Sequence, residues 1–122
     1  MDALLLIAHG SRREASNDEV RELTRELVQK SKRKFSIVEC AFLELAIPSI
    51  PEGVTICVQK GANSITVLPY FLSAGRHVAV DIPEELGKAM QLHPQLEIKV
   101  APYLGSANEI SSILVSLSKQ AA

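Results

Sequence analysis

Four short apolar runs alternate with amphipathic stretches along the sequence, and this alternation restricts the fold more than any other feature. The apolar runs predict β-strands at residues 3–8, 36–41, 64–68 and 97–101. In the stretch that follows each run, apolar residues recur at the spacing of an α-helix. Four βα units in succession predict an α/β fold, in which a four-stranded parallel sheet has helices on both faces and right-handed crossovers. The 122 residues are expected to form a single domain, residues 1–122, with its own core.

Helix boundaries are marked by residues with strong positional preferences. The sequence S-x-x-E, which is typical of a capping box at a helix N-terminus, begins at Ser11, Ser49 and Ser106. Asp81 and Pro83 predict the start of the third helix. The second helix contains a glycine and several β-branched residues, which are poor helix formers. The predicted apolar faces consist of Val20, Leu23 and Leu27 in the first helix, Ile50, Val54, Cys57 and Val58 in the second, Leu86, Ala89 and Met90 in the third, and Ile110, Ile113, Leu114 and Leu117 in the fourth.

Composition argues against several classes of partner. The formal net charge is −1, aromatic residues make up 4% of the chain and there is no tryptophan, so neither a nucleic-acid nor an anionic membrane partner is expected. No apolar run reaches the roughly 20 residues of a membrane span, and the first residues lack the basic start of a secretory signal. Cys40 and Cys57 belong to no C-x-x-C pair and are expected to be buried thiols in a reducing cytosol. We therefore expect a cytoplasmic protein.

The sequence also lacks the motifs of several enzyme classes. It contains neither the G-x-x-x-x-G-K-[ST] of P-loop nucleotide hydrolases nor the G-x-S-x-G of α/β-hydrolases. The first predicted strand is not followed by the G-x-G-x-x-G of dinucleotide-binding domains. The segment around His9 differs from the R-H-G of histidine phosphatases because Ala8 stands in the place of the arginine.

Side chains able to transfer protons or bind metals follow three of the predicted strands. His9 follows the first strand, Glu44 the second, and His77 lies beyond the third. Because the carboxyl ends of parallel strands meet at one edge of the sheet, we expect these three side chains to converge. Two imidazoles and a carboxylate are a common donor set for borderline divalent metals, and imidazole exchanges protons near pH 7. Taken singly, a histidine at a strand end is more often structural than catalytic, Glu44 fits a solvated loop charge, and His77 fits an incidental loop residue. His93 is interpreted as a dipole partner at a helix C-terminus and is left outside the site.

Arginines and an apolar loop are expected at the same edge. Arg12 and Arg13 are predicted in the first turn of a helix, where a cation opposes the macrodipole, and Arg76 adjoins His77. Guanidinium groups in such positions suit the bidentate capture of carboxylates, although Arg13 fits an exposed charge equally well. Tyr103 follows the fourth strand. The loop after the third strand is unusually apolar for an exposed segment and comprises Tyr70, Phe71, Leu72, Ser73 and Ala74.

Three segments of the sequence resemble the motifs of a known family. They are LIAHGSR at residues 6–12, AFLELAIPSIP at residues 41–51 and LPYFLSAGRH at residues 68–77. Each is similar to a motif of the small sirohydrochlorin chelatases of the class II chelatase group. The resemblance extends over nearly the whole chain, with the motifs in the same order and at compatible spacing.

The resemblance implies both a fold and an activity. The expected fold is a flavodoxin-like, four-stranded chelatase lobe. The expected activity is the insertion of Co²⁺ or Fe²⁺, or of Ni²⁺ as in some archaeal members, into sirohydrochlorin without ATP, in cobalamin or sirohaem biosynthesis. The metal is then a substrate, and no organic cofactor is implied. His9 and His77 match the active-site histidines of the family, and Glu44 matches the acidic residue that completes the metal site of larger relatives. Those relatives have two lobes in one chain, whereas the short members pair as homodimers.

A mechanism follows from these assignments. We expect His9 and His77, with Glu44, to receive the metal and to accept the protons that it displaces from the pyrrole nitrogens. Arg12 and Arg76 would hold the carboxylates of the tetrapyrrole, and the apolar loop would pack on the macrocycle. The same residues would also serve a tetrapyrrole or metal carrier without catalysis. A signalling domain is disfavoured because no cluster of strand-end aspartates is present.

Overall fold

A computed structural model describes residues 1–121 of the protein. Its elements in chain order are β1 (Asp2–Ala8), α1 (Glu14–Ser31), β2 (Ile37–Phe42), α2 (Ile50–Gln59), β3 (Ser64–Pro69), α3 (Ile82–Leu92), β4 (Glu97–Val100) and α4 (Ile110–Ser118). A π-helical turn (His77–Asp81) runs directly into α3, and a 3₁₀ turn (Leu104–Ser106) precedes α4. The predicted alternation of strands and helices is confirmed, and the strand ends lie within one residue of their predicted positions.

The four strands form one parallel sheet in the order β2-β1-β3-β4. The central strand β1 pairs on both sides, with Leu6 opposite Cys40 of β2 and Leu68 of β3. All carboxyl ends therefore lie at one edge, as the sequence predicts for a sheet built from βα units.

The side chains of β1 alternate between two separate hydrophobic clusters. Leu5 and Ile7 point to the face that α2 and α3 cover, whereas Leu6 and Ala8 point to the face covered by α1. Helices on both faces of the sheet are therefore confirmed. A strand buried on both faces must be apolar at every position, which explains the uninterrupted run at residues 3–8.

The poor helix formers in α2 have a packing reason. A Cβ atom on Gly53 would lie 2.8 Å from the Cβ of Ala41 in β2, so glycine lets the helix lie close to the sheet. The capping box predicted at Ser49 is present. The backbone N–H of Glu52 donates to Ser49 Oγ (3.3 Å), and that of Ser49 donates to Glu52 Oε1 (2.8 Å).

The capping box predicted at Ser11 is wrong, because α1 begins only at Glu14 and Arg13 is its N-cap residue. Instead, Asn17, whose surface is 1% exposed, holds the turn before the helix. Its Oδ1 accepts from the N–H of Ser11 (2.9 Å), and its Nδ2 donates to the Ser11 carbonyl (2.8 Å). Arg12 and Arg13 consequently precede the helix and do not occupy its first turn.

The capping box predicted at Ser106 is also wrong. Ser106 lies in the 3₁₀ turn, where its hydroxyl donates to the carbonyl of Tyr103 (2.6 Å), and Glu109 is the N-cap of α4. Asp81 likewise makes no capping hydrogen bond, because helical backbone already begins at His77. Serine and aspartate side chains also form hydrogen bonds in turns, so a pattern typical of a helix start can belong to a turn next to the helix.

Burial corrects two further predictions, and a hydrogen bond adds to a third. Met90 of α3 is 44% exposed, and Ile82 takes its place in the core. Cys57 is fully buried, and this burial raises the pKa of its thiol to about 12, whereas Cys40 is only half-buried. His93 does lie at the end of α3, but its Nε2 also lies 2.9 Å from the hydroxyl of Thr55 and links the helix to α2.

Helix α4 forms as predicted, but its apolar face stays exposed. Leu114 and Leu117 are 62% and 56% exposed, and the main contacts of the helix are with the preceding 3₁₀ turn. Its apolar residues therefore do not join either cluster beside the sheet. Within residues 1–121, no helix has the length and apolar character that crossing a membrane requires.

Replacing Asn17 tests the turn between β1 and α1. Asn17→Ala should lower the free energy of unfolding by about 1–3 kcal/mol, because the half-buried N–H and carbonyl of Ser11 lose their partners on the buried Asn17 side chain. Urea denaturation followed by circular dichroism measures this change. The exposed Asn108 offers a matched control, since Asn108→Ala should change stability by no more than about 0.5 kcal/mol. Equal stability of the two variants would contradict the structural role of Asn17.

Candidate active site at the carboxyl edge of the sheet

His9 and Glu44 are in direct contact at the carboxyl edge of the sheet. His9 Nε2 lies 2.8 Å from Glu44 Oε2, and His9 Nδ1 lies 2.8 Å from the carbonyl oxygen of Gly10. A carbonyl oxygen only accepts hydrogen bonds, so Nδ1 carries a proton. Nε2 and the carboxylate are both Lewis bases, and their close approach requires a proton or another cation between them. This is a position that a divalent metal can take when it displaces the proton.

The backbone of the β2 exit loop brings Glu44 to His9. The N–H of Leu43 donates to the carbonyl of Ala8 (2.9 Å), and the N–H of Glu44 donates to that of His9 (3.0 Å). The next residue, Gly10, has a φ of +93°, and a Cβ atom there would overlap the Glu44 carbonyl oxygen. Only glycine combines this conformation with such a close approach.

Arg21 of α1 supports the same loop from behind. Its Nη2 donates to the carbonyl of Ile47 (3.3 Å), and its guanidinium lies 5.3 Å from the centre of the Phe42 ring. Arg21 also donates a hydrogen bond to Glu14, which lowers the pKa of that carboxyl. The half-buried Arg21 is inconspicuous in the sequence because its contact with the β2 exit loop joins residues 26 positions apart.

His77 enters the site from the π-helical turn. The centre of its ring lies 4.7 Å from that of His9, with the rings inclined by 61°. Its Nδ1 lies 2.8 Å from Oδ2 of Asp81. A side chain therefore holds the ring of His77, whereas a backbone carbonyl holds the ring of His9. The structure thus brings together His9, Glu44 and His77, and it adds Asp81, which the sequence analysis assigned only to a helix start.

The three site side chains are accessible to a large ligand. The side chains of His9, Glu44 and His77 are 39%, 53% and 46% exposed. Among the described residues, no group of three His, Cys, Asp or Glu side chains is arranged to hold a metal ion together. In this structure His9 contacts Glu44, and His77 contacts Asp81.

The apolar loop after β3 lies beside His77. The Phe71 ring is half-buried against the core and its centre lies 6.3 Å from that of His77, whereas Leu72 is 73% exposed. Tyr70, Ser73 and Ala74 are also exposed. Gly105 of the 3₁₀ turn supports this loop, since its N–H donates to the Phe71 carbonyl (3.0 Å) and a Cβ there would overlap the carbonyl oxygen of Leu72.

The predicted substrate-binding arginines are less tightly placed than the histidines. Arg76 is 75% exposed, and its Nε lies 3.7 Å from Asp81 Oδ1. Arg12 is exposed and forms no ion pair within the part of the chain that the structure describes. Neither guanidinium is therefore committed to a strong internal partner. An apolar groove of about 710 Å³ lies elsewhere, between Ile47 and Leu92, and contains none of the three converging side chains.

Comparisons with known proteins extend over nearly the whole chain. A sirohydrochlorin ferrochelatase of Priestia megaterium is 37% identical over 117 residues, which cover 94% of this chain and 42% of the relative. A sirohydrochlorin cobaltochelatase of Saccharolobus islandicus (strain L.S.2.15 / Lassen #1) is 32% identical over 121 residues, which cover 94% of this chain and 91% of the relative.

A solved structure agrees closely with the fold. The sirohydrochlorin chelatase SirB from Bacillus subtilis subspecies spizizenii, in complex with cobalt, superposes with a TM-score of 0.89 at 30% identity. The match covers 99% of this chain and 51% of SirB, so the chain spans about half the length of SirB and 42% of the Priestia relative. The model of the CbiX family matches residues 3–121, and this protein therefore belongs to the CbiX family.

Proposed function

We propose that this protein is a sirohydrochlorin chelatase that inserts a divalent metal into the tetrapyrrole without ATP. The observation that carries the proposal is the meeting of two imidazoles and a carboxylate, with His9 Nε2 2.8 Å from Glu44 Oε2 and the two rings 4.7 Å apart. Relatives named as ferrochelatase and as cobaltochelatase support Fe²⁺ and Co²⁺ as substrates, with Ni²⁺ as a further candidate. The product would enter sirohaem or cobalamin biosynthesis.

Metal insertion requires a metal to lose water while two pyrrole nitrogens lose protons. In this proposal His9 and Glu44 receive the metal in place of the proton that they share. The half-exposed ring of His77 stands next to His9 and accepts one proton from the macrocycle through its Nε2, since its Nδ1 is bound to Asp81. The pair of His9 and Glu44 accepts the second proton once the metal has passed into the macrocycle. Imidazole suits this transfer because its charge changes near neutral pH.

The surroundings of the histidines fit a large, flat and polyanionic ligand. The exposed Tyr70 and Leu72 offer apolar surface for a macrocycle beside His77. Arg12 and Arg76 have guanidinium groups free to bind peripheral carboxylates. We propose that both arginines and the loop from Tyr70 to Ala74 form the substrate-binding surface. The two free cysteines are compatible with the cytoplasm as the compartment.

We further propose that two copies of the chain pair as a homodimer. The chain matches about half of SirB, and in a homodimer the second copy would occupy the position of the other half of SirB. The exposed apolar face of α4, with Leu114 and Leu117, supports a second copy as its partner. A single lobe leaves the histidines half-exposed, whereas binding sites bury most of a ligand, and pairing would enclose the cleft.

Replacing His9 tests the proposed activity. With sirohydrochlorin and Co²⁺, catalytic amounts of the wild type should accelerate the change in the absorption spectrum. His9→Ala should slow this change by about 10²-fold or more, because it removes both a metal ligand and a base. The same assay with Fe²⁺ and Ni²⁺ ranks the metals.

His93→Ala is the matched control, because His93 lies outside the site and contacts Thr55. It should retain the wild-type rate, and circular dichroism should show that both variants are folded. A near-normal rate for His9→Ala would remove His9 from the mechanism. Binding of sirohydrochlorin or metal by the wild type in stoichiometric amounts, with no turnover, would instead identify a carrier.

Replacing an apolar residue of α4 tests the dimer. Leu114→Glu should convert a dimer into a monomer, because a charge would be buried at the interface. Size-exclusion chromatography with light scattering measures the mass. Ser112→Glu places the same charge on the opposite side of α4 and should leave the dimer intact. A monomeric wild type, or a dimer that tolerates Leu114→Glu, would contradict this use of the helix.

A further inference from the structure

We propose that Asp81 is a positioning residue, whose carboxylate holds His77 in the tautomer with its proton on Nδ1. This inference rests on the proposed function for its consequences, but its central claim concerns a hydrogen bond of the protein without any ligand. The bond is short, with His77 Nδ1 2.8 Å from Asp81 Oδ2, and the carboxylate side chain is 25% exposed.

The contact lies within the π-helical turn. This turn closes a hydrogen bond from the N–H of Ile82 to the carbonyl of His77, five residues apart in place of the usual four. Side chains separated by four positions lie on the same side of a helical turn and can reach one another. His77 and Asp81 have this separation, so the turn that begins the helix also joins the carboxylate to the ring.

Within residues 1–121, no contact of Asp81 other than that with His77 explains where its carboxylate lies. It makes no capping hydrogen bond to α3, although it is the residue at the start of that helix. Its other contact, 3.7 Å from Oδ1 to the Nε of the 75%-exposed Arg76, is a surface ion pair of the kind that contributes little to stability. The bond to His77 is therefore the main interaction of this carboxylate.

The two histidines share one pattern of hydrogen bonds. His9 Nδ1 donates to the Gly10 carbonyl, and His77 Nδ1 donates to Asp81. In each ring this leaves Nε2 as the nitrogen for other contacts, which in His9 is the contact with Glu44. An imidazole whose second nitrogen donates to a carboxylate has a fixed tautomer and a fixed ring orientation. Without Asp81, the His77 ring could place its proton on Nε2 and remove the lone pair that the proposed proton transfer uses.

The tautomer of His77 is measured directly by long-range ¹H–¹⁵N NMR of the ligand-free protein, at a pH where the ring is neutral. In the wild type, Nδ1 should give the signal of a protonated nitrogen and Nε2 that of an unprotonated one. Asp81→Ala should move the proton of His77 partly or wholly to Nε2. Asp81→Asn should keep the wild-type pattern, because its amide oxygen still accepts from Nδ1–H.

Turnover with sirohydrochlorin and Co²⁺ provides the second measurement. Asp81→Ala should lower the rate by about 10–100-fold, and Asp81→Asn should recover most of the loss. Glu84→Ala, which removes an exposed carboxylate from the first turn of α3, is the matched control and should change neither the NMR pattern nor the rate.

The outcomes separate this inference from the proposed function. A His77 proton on Nε2 in the wild type, or an unchanged tautomer in folded Asp81→Ala, would overturn the role of Asp81 whatever the activity. Absence of turnover in the wild type would overturn the proposed function, while the NMR result would still decide whether Asp81 sets the tautomer. A loss of turnover in Asp81→Asn equal to that in Asp81→Ala would show that charge, not hydrogen bonding, is what matters, and would contradict the inference.

Discussion

The site depends on the continuation of backbone pairing beyond the ends of β1 and β2. The hydrogen bonds from Leu43 to Ala8 and from Glu44 to His9 extend the parallel ladder past the regular strands. Backbone hydrogen bonds fix the separation of neighbouring strands, so they place the His9 and Glu44 side chains side by side before any ligand arrives. Gly10 allows the approach because it has no Cβ to meet the Glu44 carbonyl.

Each of the three converging side chains is oriented by a group outside the set. The Gly10 carbonyl holds the ring of His9, Asp81 holds the ring of His77, and Arg21 holds the loop that follows Glu44. The Phe71 backbone is similarly held by a hydrogen bond from Gly105, in the 3₁₀ turn that follows β4. The site is open to solvent, so its geometry comes from these supporting contacts and not from burial.

In helix α4 the hydrophobic pattern of the sequence does not match the packing within the single chain. Its residues have the periodicity of a core-facing helix, yet the side chains of Leu114 and Leu117 lie in solvent. A helix with an unburied apolar face is stabilised when another surface covers it. The chain matches about half of SirB, and the partner proposed for this surface is a second copy of the chain.

The sequence alone determined the order of strands and helices along the chain and the parallel sheet. It also determined the convergence of His9, Glu44 and His77. These features follow from hydrophobic periodicity and from the rule that parallel strands end at one edge. The sequence also carried the capping box at Ser49, but the same S-x-x-E pattern failed at Ser11 and Ser106.

Tertiary structure decided the roles of Asn17, Arg21 and Asp81. Asn17 is polar within a buried helix face, Arg21 contacts a loop distant in sequence, and Asp81 meets His77 within a helical turn that the sequence analysis did not predict. Periodicity describes which side of an element faces the core. It does not describe which hydrogen-bonding partner a polar side chain meets, because that depends on short distances that arise only when the elements pack together.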